Sequence, residues 1–281
     1  MPNVKRNLIV IGSAMGLYGL YVLLILVLGL DFWVILAVYA VVIVTLYIIN
    51  RKAIMSLRGN YFYLTGNLGR ARTILQKAVD SGTKSPASHI YLALILMRED
   101  TNANDAFKYL DRAIELSRNP VDKRSATISK ATCHWMNKDA KAAIKTLEDM
   151  RASQEYTNAP TLVSLGFLYM VDGNLAKALE ITNIAIDEEA DHAAAWDNLG
   201  QIRYREDRIE EAREAFVHAL SLKDTLADSN YYMGIITEQD GDFTAAAEYF
   251  RKAAISPIGF FNTVTQEQTD AKYEEYRSKE A

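Results

Sequence analysis

Side chains able to do chemistry are sparse in these 281 residues, and their spacing keeps them apart. Cys133 and His134 are adjacent, and residues one apart on a helix do not share a face. Neither a nucleophile and base pair nor a metal site follows from them. His89, His192 and His218 fall in three separate stretches. Asp187, Glu188, Glu189 and Asp191 form an acidic run, which reads as a solvated turn at a helix end, with a metal or basic-peptide contact as the competing reading. Gly66-Asn67-Leu68-Gly69 has the composition of a phosphate loop. The Lys that such a loop requires is missing, as are His-Glu-x-x-His and Cys-x-x-Cys. The expectation is a chain without catalytic residues, metal or cofactor.

What recurs instead is a mechanical pattern. From Ala195 to Asp224, Trp196, Leu199 and Gly200 precede Ala212, Phe216 and Ala219. Small residues at Gly200 and Ala212 let two helices approach closely, and Trp196 and Phe216 fill the space beside the contact. A shift of 34 residues carries Gly200, Ala212, Phe216 and Ala219 onto Gly234, Ala246, Phe250 and Ala253. The reverse shift gives Leu165, Gly166, Ala178 and Ala185, with Tyr169 as the aromatic. These positions resemble the tetratricopeptide repeat, with units at about 159–192, 193–226 and 227–260. Three looser units are marked by Gly59, Ala71, Leu75 and Ala78, by Ala106, Leu110 and Ala113, and by Ala143, Leu147 and Met150. The turns TGNLGRA, VDGNLAKA, REDRIEEA and QDGDFTAA all precede the second-helix alanine by one offset, with Gly66, Gly173 and Gly241 at the helix end and Asn or Asp to cap the next helix.

The body that positions these units is helical, and its first fifty residues are different in kind. Residues 7–30 and 32–49 are apolar runs, separated by Asp31, and each is long enough to cross a bilayer core of roughly 30 Å. A cleaved signal peptide is the competing reading of the first run, weakened by the second span that follows at once. Lys5 and Arg6 precede the runs and Arg51, Lys52 and Arg58 follow them, which places both termini and the repeats in the cytoplasm. The expected location is the inner membrane of a bacterial cell. Gly12, Gly16 and Gly19 form a small-residue stripe for close helix packing, against the second span, another copy or another membrane protein. Arg51, Lys52, Arg58 and Arg70 stand where lipid headgroups would be, or act only as topology determinants. No turn signal intervenes after Asn50, so the second span is expected to run on into the first repeat.

The fold expected is therefore all-α. A two-helix transmembrane hairpin (1–50) precedes a right-handed solenoid of about six helix pairs (51–260) and a C-terminal capping helix or tail (261–281). Residues 51 to 281 carry 29 Lys and Arg against 34 Asp and Glu, without a basic stripe, which argues against nucleic acid as a partner. The lone Cys133 excludes an internal disulfide.

The resemblance implies an inner face lined by first helices that binds a protein or peptide. Carried onto this chain, that face holds Val163, Phe167, Met170, Asp197, Gln201, Tyr204, Arg205, Tyr231, Ile235 and Glu238. Ser56, Asn60, Tyr91, Ile95, Ile128 and Thr132 stand where the family's chaperone clamp has Lys and Arg, which counts against that role. The implied function is a non-enzymatic scaffold anchored in the lipid bilayer. The other reading is a structural or assembly subunit of a membrane complex, its hairpin packed on other spans.

Overall fold

The computed structural model describes residues 31–99, 104–153 and 158–280, together with Gly16 and Gly19. The described residues form helices and turns, without a strand. In chain order the helices are α1 (Phe32–Leu64), α2 (Leu68–Asp80), α3 (Pro86–Glu99), α4 (Asn104–Leu116), α5 (Pro120–Met136), α6 (Ala140–Ala152) and α7 (Ala159–Val171). They continue as α8 (Leu175–Glu188), α9 (Ala193–Arg205), α10 (Ile209–Leu222), α11 (Ala227–Gln239), α12 (Phe243–Ile255) and α13 (Gln266–Glu280). The first twelve pack as six antiparallel pairs, α1 with α2 through α11 with α12, and α13 lies on α12.

Local chemistry explains the boundaries. The side chains of Asn67, Asp139, Asn174 and Asp242 accept the third backbone N–H of the helix that follows and so cap the second helices of four pairs. Pro120 and Pro160 begin first helices, where a missing N–H costs nothing. Between the two helices of a pair the backbone turns through a left-handed residue, Gly66, Gly173 or Gly241, with Lys138 and Asp207 at the same place in two other pairs.

Each pair closes around a glycine or small residue. A Cβ on Gly59, Gly166, Gly200 or Gly234 would stand 2.7, 2.6, 2.5 and 2.6 Å from Leu75, Thr182, Phe216 and Phe250, sixteen residues on in every case. The second helices bury Ala71, Ala106, Ala143, Ala178, Ala212 and Ala246 at matching positions, so the three looser units share the register of the clear ones.

Helix α1 is continuous for 33 residues, about 50 Å at 1.5 Å per residue. Its first half exposes Trp33, Val41, Ile43, Ile48 and Ile49. Its second half joins the stack, where Ser56 is buried against Thr83, with Oγ atoms 2.7 Å apart, and Gly59 meets Leu75. Among the described residues, Trp33–Leu64 is the one stretch long and apolar enough to cross a membrane, with a mean hydropathy of 2.4 in its apolar window. The expected first span, 7–30, and Gly12 lie outside the described residues, so the structure supplies one apolar helix where a two-helix hairpin was expected. Gly16 and Gly19 are helical and exposed, with nothing within 4 Å of the place a Cβ would take.

The C-terminal region expected as a capping helix or tail, 261–281, contains one helix. Residues 266–280 form α13, which lays Tyr276 on Phe250 with ring centroids 5.2 Å apart and sends Lys272 to the Glu238 carboxylate at 3.0 Å. Residues 257–265 are not part of this helix.

The inner groove as candidate functional site

Each first helix touches the first helix of the next pair, α1 with α3 and onward through α9 with α11. The second helices make no comparable contacts with one another among the described residues. A stack whose first helices converge and whose second helices spread curves towards the former, so α3, α5, α7, α9 and α11 line the inner face.

That face is already occupied. After α12 the chain enters the groove, and residues Pro257 to Val264 run across five successive first helices. Phe260 packs on the cluster of Ala93, Met97 and Cys133 from α3 and α5. Its carbonyl accepts the indole Nε1–H of Trp135 at 3.0 Å. Phe261 meets Phe167 of α7 edge to face, with centroids 5.4 Å apart, and Phe167 in turn meets Trp135 at 5.5 Å. Thr263 donates its hydroxyl to Oε1 of Gln201 on α9 at 2.7 Å. The backbone N–H groups of Thr263 and Val264 donate to the Asp228 carboxylate of α11 at 3.1 and 2.9 Å, and Asn262 Nδ2 adds a third donor at 3.0 Å. A cleft of about 360 Å³ remains beside Met97, Arg98 and Phe260.

The polar end of the groove rests on two buried carboxylates. Gln201, fully buried, donates through Nε2 to Asp197 at 2.9 Å and Asp228 at 3.2 Å, and so bridges them. Ser229 donates its hydroxyl to Asp197. Burial raises the pKa of both acids, and the neighbouring Asp228 charge raises Asp197 further. Hydrogen bonds from Thr263, Val264 and Asn262 pull Asp228 back towards the ionised form. Raised carboxylates in a pair are a signature of acid and base chemistry. Here Asp228 is enclosed by donors from residues 262–264 and Asp197 by Ser229 and Gln201, so the arrangement holds a chain segment.

Of the residues expected on this face, Phe167, Met170, Asp197 and Gln201 are buried. Val163, Tyr204, Tyr231, Ile235 and Glu238 are half-buried and Arg205 is exposed. Phe167 and Gln201 meet the groove segment directly. Asp197 acts from beneath it through Gln201. Tyr204 packs on Tyr232, whose hydroxyl lies 3.5 Å from Thr263. Arg205 donates to the Met170 sulfur at 3.4 Å, and Asn198 donates to the Val163 carbonyl at 2.9 Å. Tyr231, Ile235 and Glu238 are drawn instead towards α13, Tyr231 and Ile235 in the cluster of Phe250 and Tyr276, and Glu238 by Lys272 and the Tyr276 hydroxyl.

Trp135, Asp228 and the segment itself were not singled out in the sequence. The available signal was Phe260-Phe261, an aromatic pair in a polar region. The other reactive side chains are inert or apart. Cys133 is fully buried, its thiol pushed up to about 12 by burial, and the His134 ring lies tilted against Phe107 with centroids 4.8 Å apart. The acidic run near Glu188 is exposed. No three His, Cys, Asp or Glu side chains converge as metal ligands would, among the described residues.

Comparison with known proteins agrees with this architecture. The family description that matches is the tetratricopeptide repeat, over residues 165–225. The chain is similar to the peroxisomal targeting signal receptor of Candida albicans, 24% identical over 179 residues, which are 62% of this chain and 30% of the receptor. The match thus spans less than a third of that relative's length. A tetratricopeptide repeat protein of Parabacteroides merdae superposes with a TM-score of 0.66 at 14% identity, over 81% of this chain and 85% of that one. PilW, a type IV pilus biogenesis factor, superposes with a TM-score of 0.60 at 14% identity, over 78% of this chain and 98% of that one. At these identities the structures establish the fold alone, an all-helical solenoid similar to tetratricopeptide arrays.

Proposed function

We propose that this chain is a non-enzymatic, membrane-anchored scaffold that holds a protein partner by a peptide segment in the inner groove of cytoplasmic repeats. One observation carries the reading: the groove holds a turn-containing segment across five helices, with aromatic side chains at one end and the Asp228 carboxylate accepting main-chain N–H groups at the other. Peptide segments are recognised by side-chain pockets together with bonds to their main chain. The name of the yeast relative, a receptor for a targeting signal, fits the same reading.

The anchor is argued from α1. Its exposed apolar half has no place in water, and it continues without a break into the stack, holding the repeats against the bilayer. Arg51, Lys52, Arg58 and Arg70 follow the apolar stretch, and a cleft of about 510 Å³ lined by Lys52, Lys84, Asn50 and Ser56 lies at the level of the headgroups. With residues 7–30 as a first span, positive flanks put both termini in the cytoplasm of a bacterial cell. Fixing one partner beside another at a membrane raises its effective concentration without any new contact.

The test is crosslinking in native membranes, with a photoreactive residue at Arg205 of the full-length chain. A discrete adduct that disappears with Tyr204→Ala, while thermal unfolding persists, supports the groove as the docking face. Equal adducts in both place the partner elsewhere. A second reading draws on the filled groove: a subunit of a membrane complex whose partners pack on the apolar half of α1 and on Gly12, Gly16 and Gly19. Crosslinks from Trp33 or Gly16, and none from Arg205, would favour it.

A further inference from the structure

We propose that residues 257–264 are an internal stand-in for the partner, so that the groove is closed by the chain's own peptide and opens only to a competitor of the same chemistry. The inference rests on the groove reading above and names the ligand: a segment that turns at two adjacent aromatic residues, followed by a small polar pair. Three features of the segment support this. It is held by recognition contacts of alternating kind, rings in pockets at Phe260 and Phe261, then a hydroxyl at Thr263, then backbone N–H groups at Thr263 and Val264. It spans the groove between two helices that need no groove contact of their own, since α12 is held by α11 and α13 caps the stack through Tyr276, Lys272 and Gln266. Phe260 and Phe261 remain half-buried, so a competitor can displace them one after the other.

Tethering sets the strength of the closure. A segment joined to its own groove competes at an effective concentration on the order of millimolar, so a free peptide with micromolar affinity for the open groove would bind the closed chain ~10²-fold to 10³-fold more weakly. The Asp228 carboxylate makes the groove selective for main-chain donors. It takes two successive N–H groups, which a proline at either position would not supply.

The test uses the full-length chain in lipid nanodiscs and a fluorescent synthetic peptide of sequence Ile-Gly-Phe-Phe-Asn-Thr-Val-Thr, with a scrambled peptide as control. Phe260→Ser with Phe261→Ser should bind the peptide at least about tenfold more tightly than the unaltered chain. Adding Asp228→Ala should abolish the gain. Binding no tighter than to the unaltered chain, or equal binding of the scrambled peptide, overturns the proposal. If the double variant loses cooperative unfolding, Phe261→Leu, which keeps an apolar side chain in the pocket, is read by the same criteria. Amide exchange at Thr263 and Val264 in the unaltered chain supplies an independent reading: slow exchange is expected, and exchange at the rate of a free peptide overturns it. A loosened chain that refuses the peptide but keeps the Arg205 adduct sinks the stand-in and spares the scaffold. A loosened chain that takes the peptide, with no adduct in membranes, does the reverse.

Discussion

The indole of Trp135 donates to the carbonyl of Phe260, 125 residues later, at 3.0 Å. This bond ties the third helix pair to the segment that leaves the sixth. Replacing Trp135 by Phe keeps a ring beside Phe167 but leaves the Phe260 carbonyl without that donor. A lost hydrogen bond of this kind costs about 1 kcal/mol, or roughly fivefold in an equilibrium. Amide exchange across 257–264 should quicken by about that factor, whereas exchange within α2 should not change. Unaltered exchange at Thr263 would show that the bond contributes nothing to holding the segment.

Stability should fall as pH rises from the ordinary carboxylate range through the raised values of Asp197 and Asp228. Burial makes the folded chain hold these protons more tightly than the unfolded one, so their contribution is complete in acid and lost as the pair ionises. Asp197→Asn removes its own titration and the repulsion, and leaves only the titration of Asp228. Urea midpoints between about pH 5 and about pH 8 should slope downward more steeply in the unaltered chain than in the variant. Parallel slopes would contradict the assignment.

Gly200→Ala should destabilise the repeats by about 1–3 kcal/mol, because the added methyl meets the Phe216 ring at 2.5 Å in a packed interface. Gly16→Ala, with nothing within 4 Å, should leave repeat unfolding unchanged. Equal effects, read by circular dichroism melts, would mean that the crossing at Gly200 yields without strain.

Lys138 holds a left-handed backbone at φ 61° where other pairs have glycine. Lys138→Gly should raise stability by about 1 kcal/mol, since the steric penalty of a Cβ in this conformation exceeds the entropy that glycine adds to the unfolded chain. A lowered melting temperature would refute the strain argument.

Topology is open to labelling. In intact cells, Asp31→Cys should react with an impermeant maleimide. Val121→Cys, at a position 62% exposed, should react only after permeabilisation. Cys133 is no reporter for either side, being buried with its thiol pushed up to about 12. Reaction of Val121→Cys in intact cells would reverse the orientation.

The repeats were legible in sequence because their determinants are local. Gly200 and Phe216 meet at a fixed spacing along one helical hairpin, and so do Gly234 and Phe250, so the same residue types must recur at the same interval. The turn residues Gly66, Gly173 and Gly241 answer to backbone conformation alone, and the run of α1 into the stack to the lack of a turn signal after Asn50. The apolar face of α1 is equally plain, because the uncharged run from Phe32 to Asn50 needs no neighbour to be recognised. The candidate site was only half visible. First-helix positions such as Phe167 and Gln201 could be placed on the inner face by register, but their burial could not, because it is imposed by Phe261 and Thr263 from a distant part of the chain. Asp228 reads as an ordinary helix-start acid until two N–H groups, 35 and 36 residues later, arrive on it. Sequence periodicity reports contacts made at constant separation. A segment that folds back across five units makes each contact at a different separation, and only the tertiary structure decides where it lies.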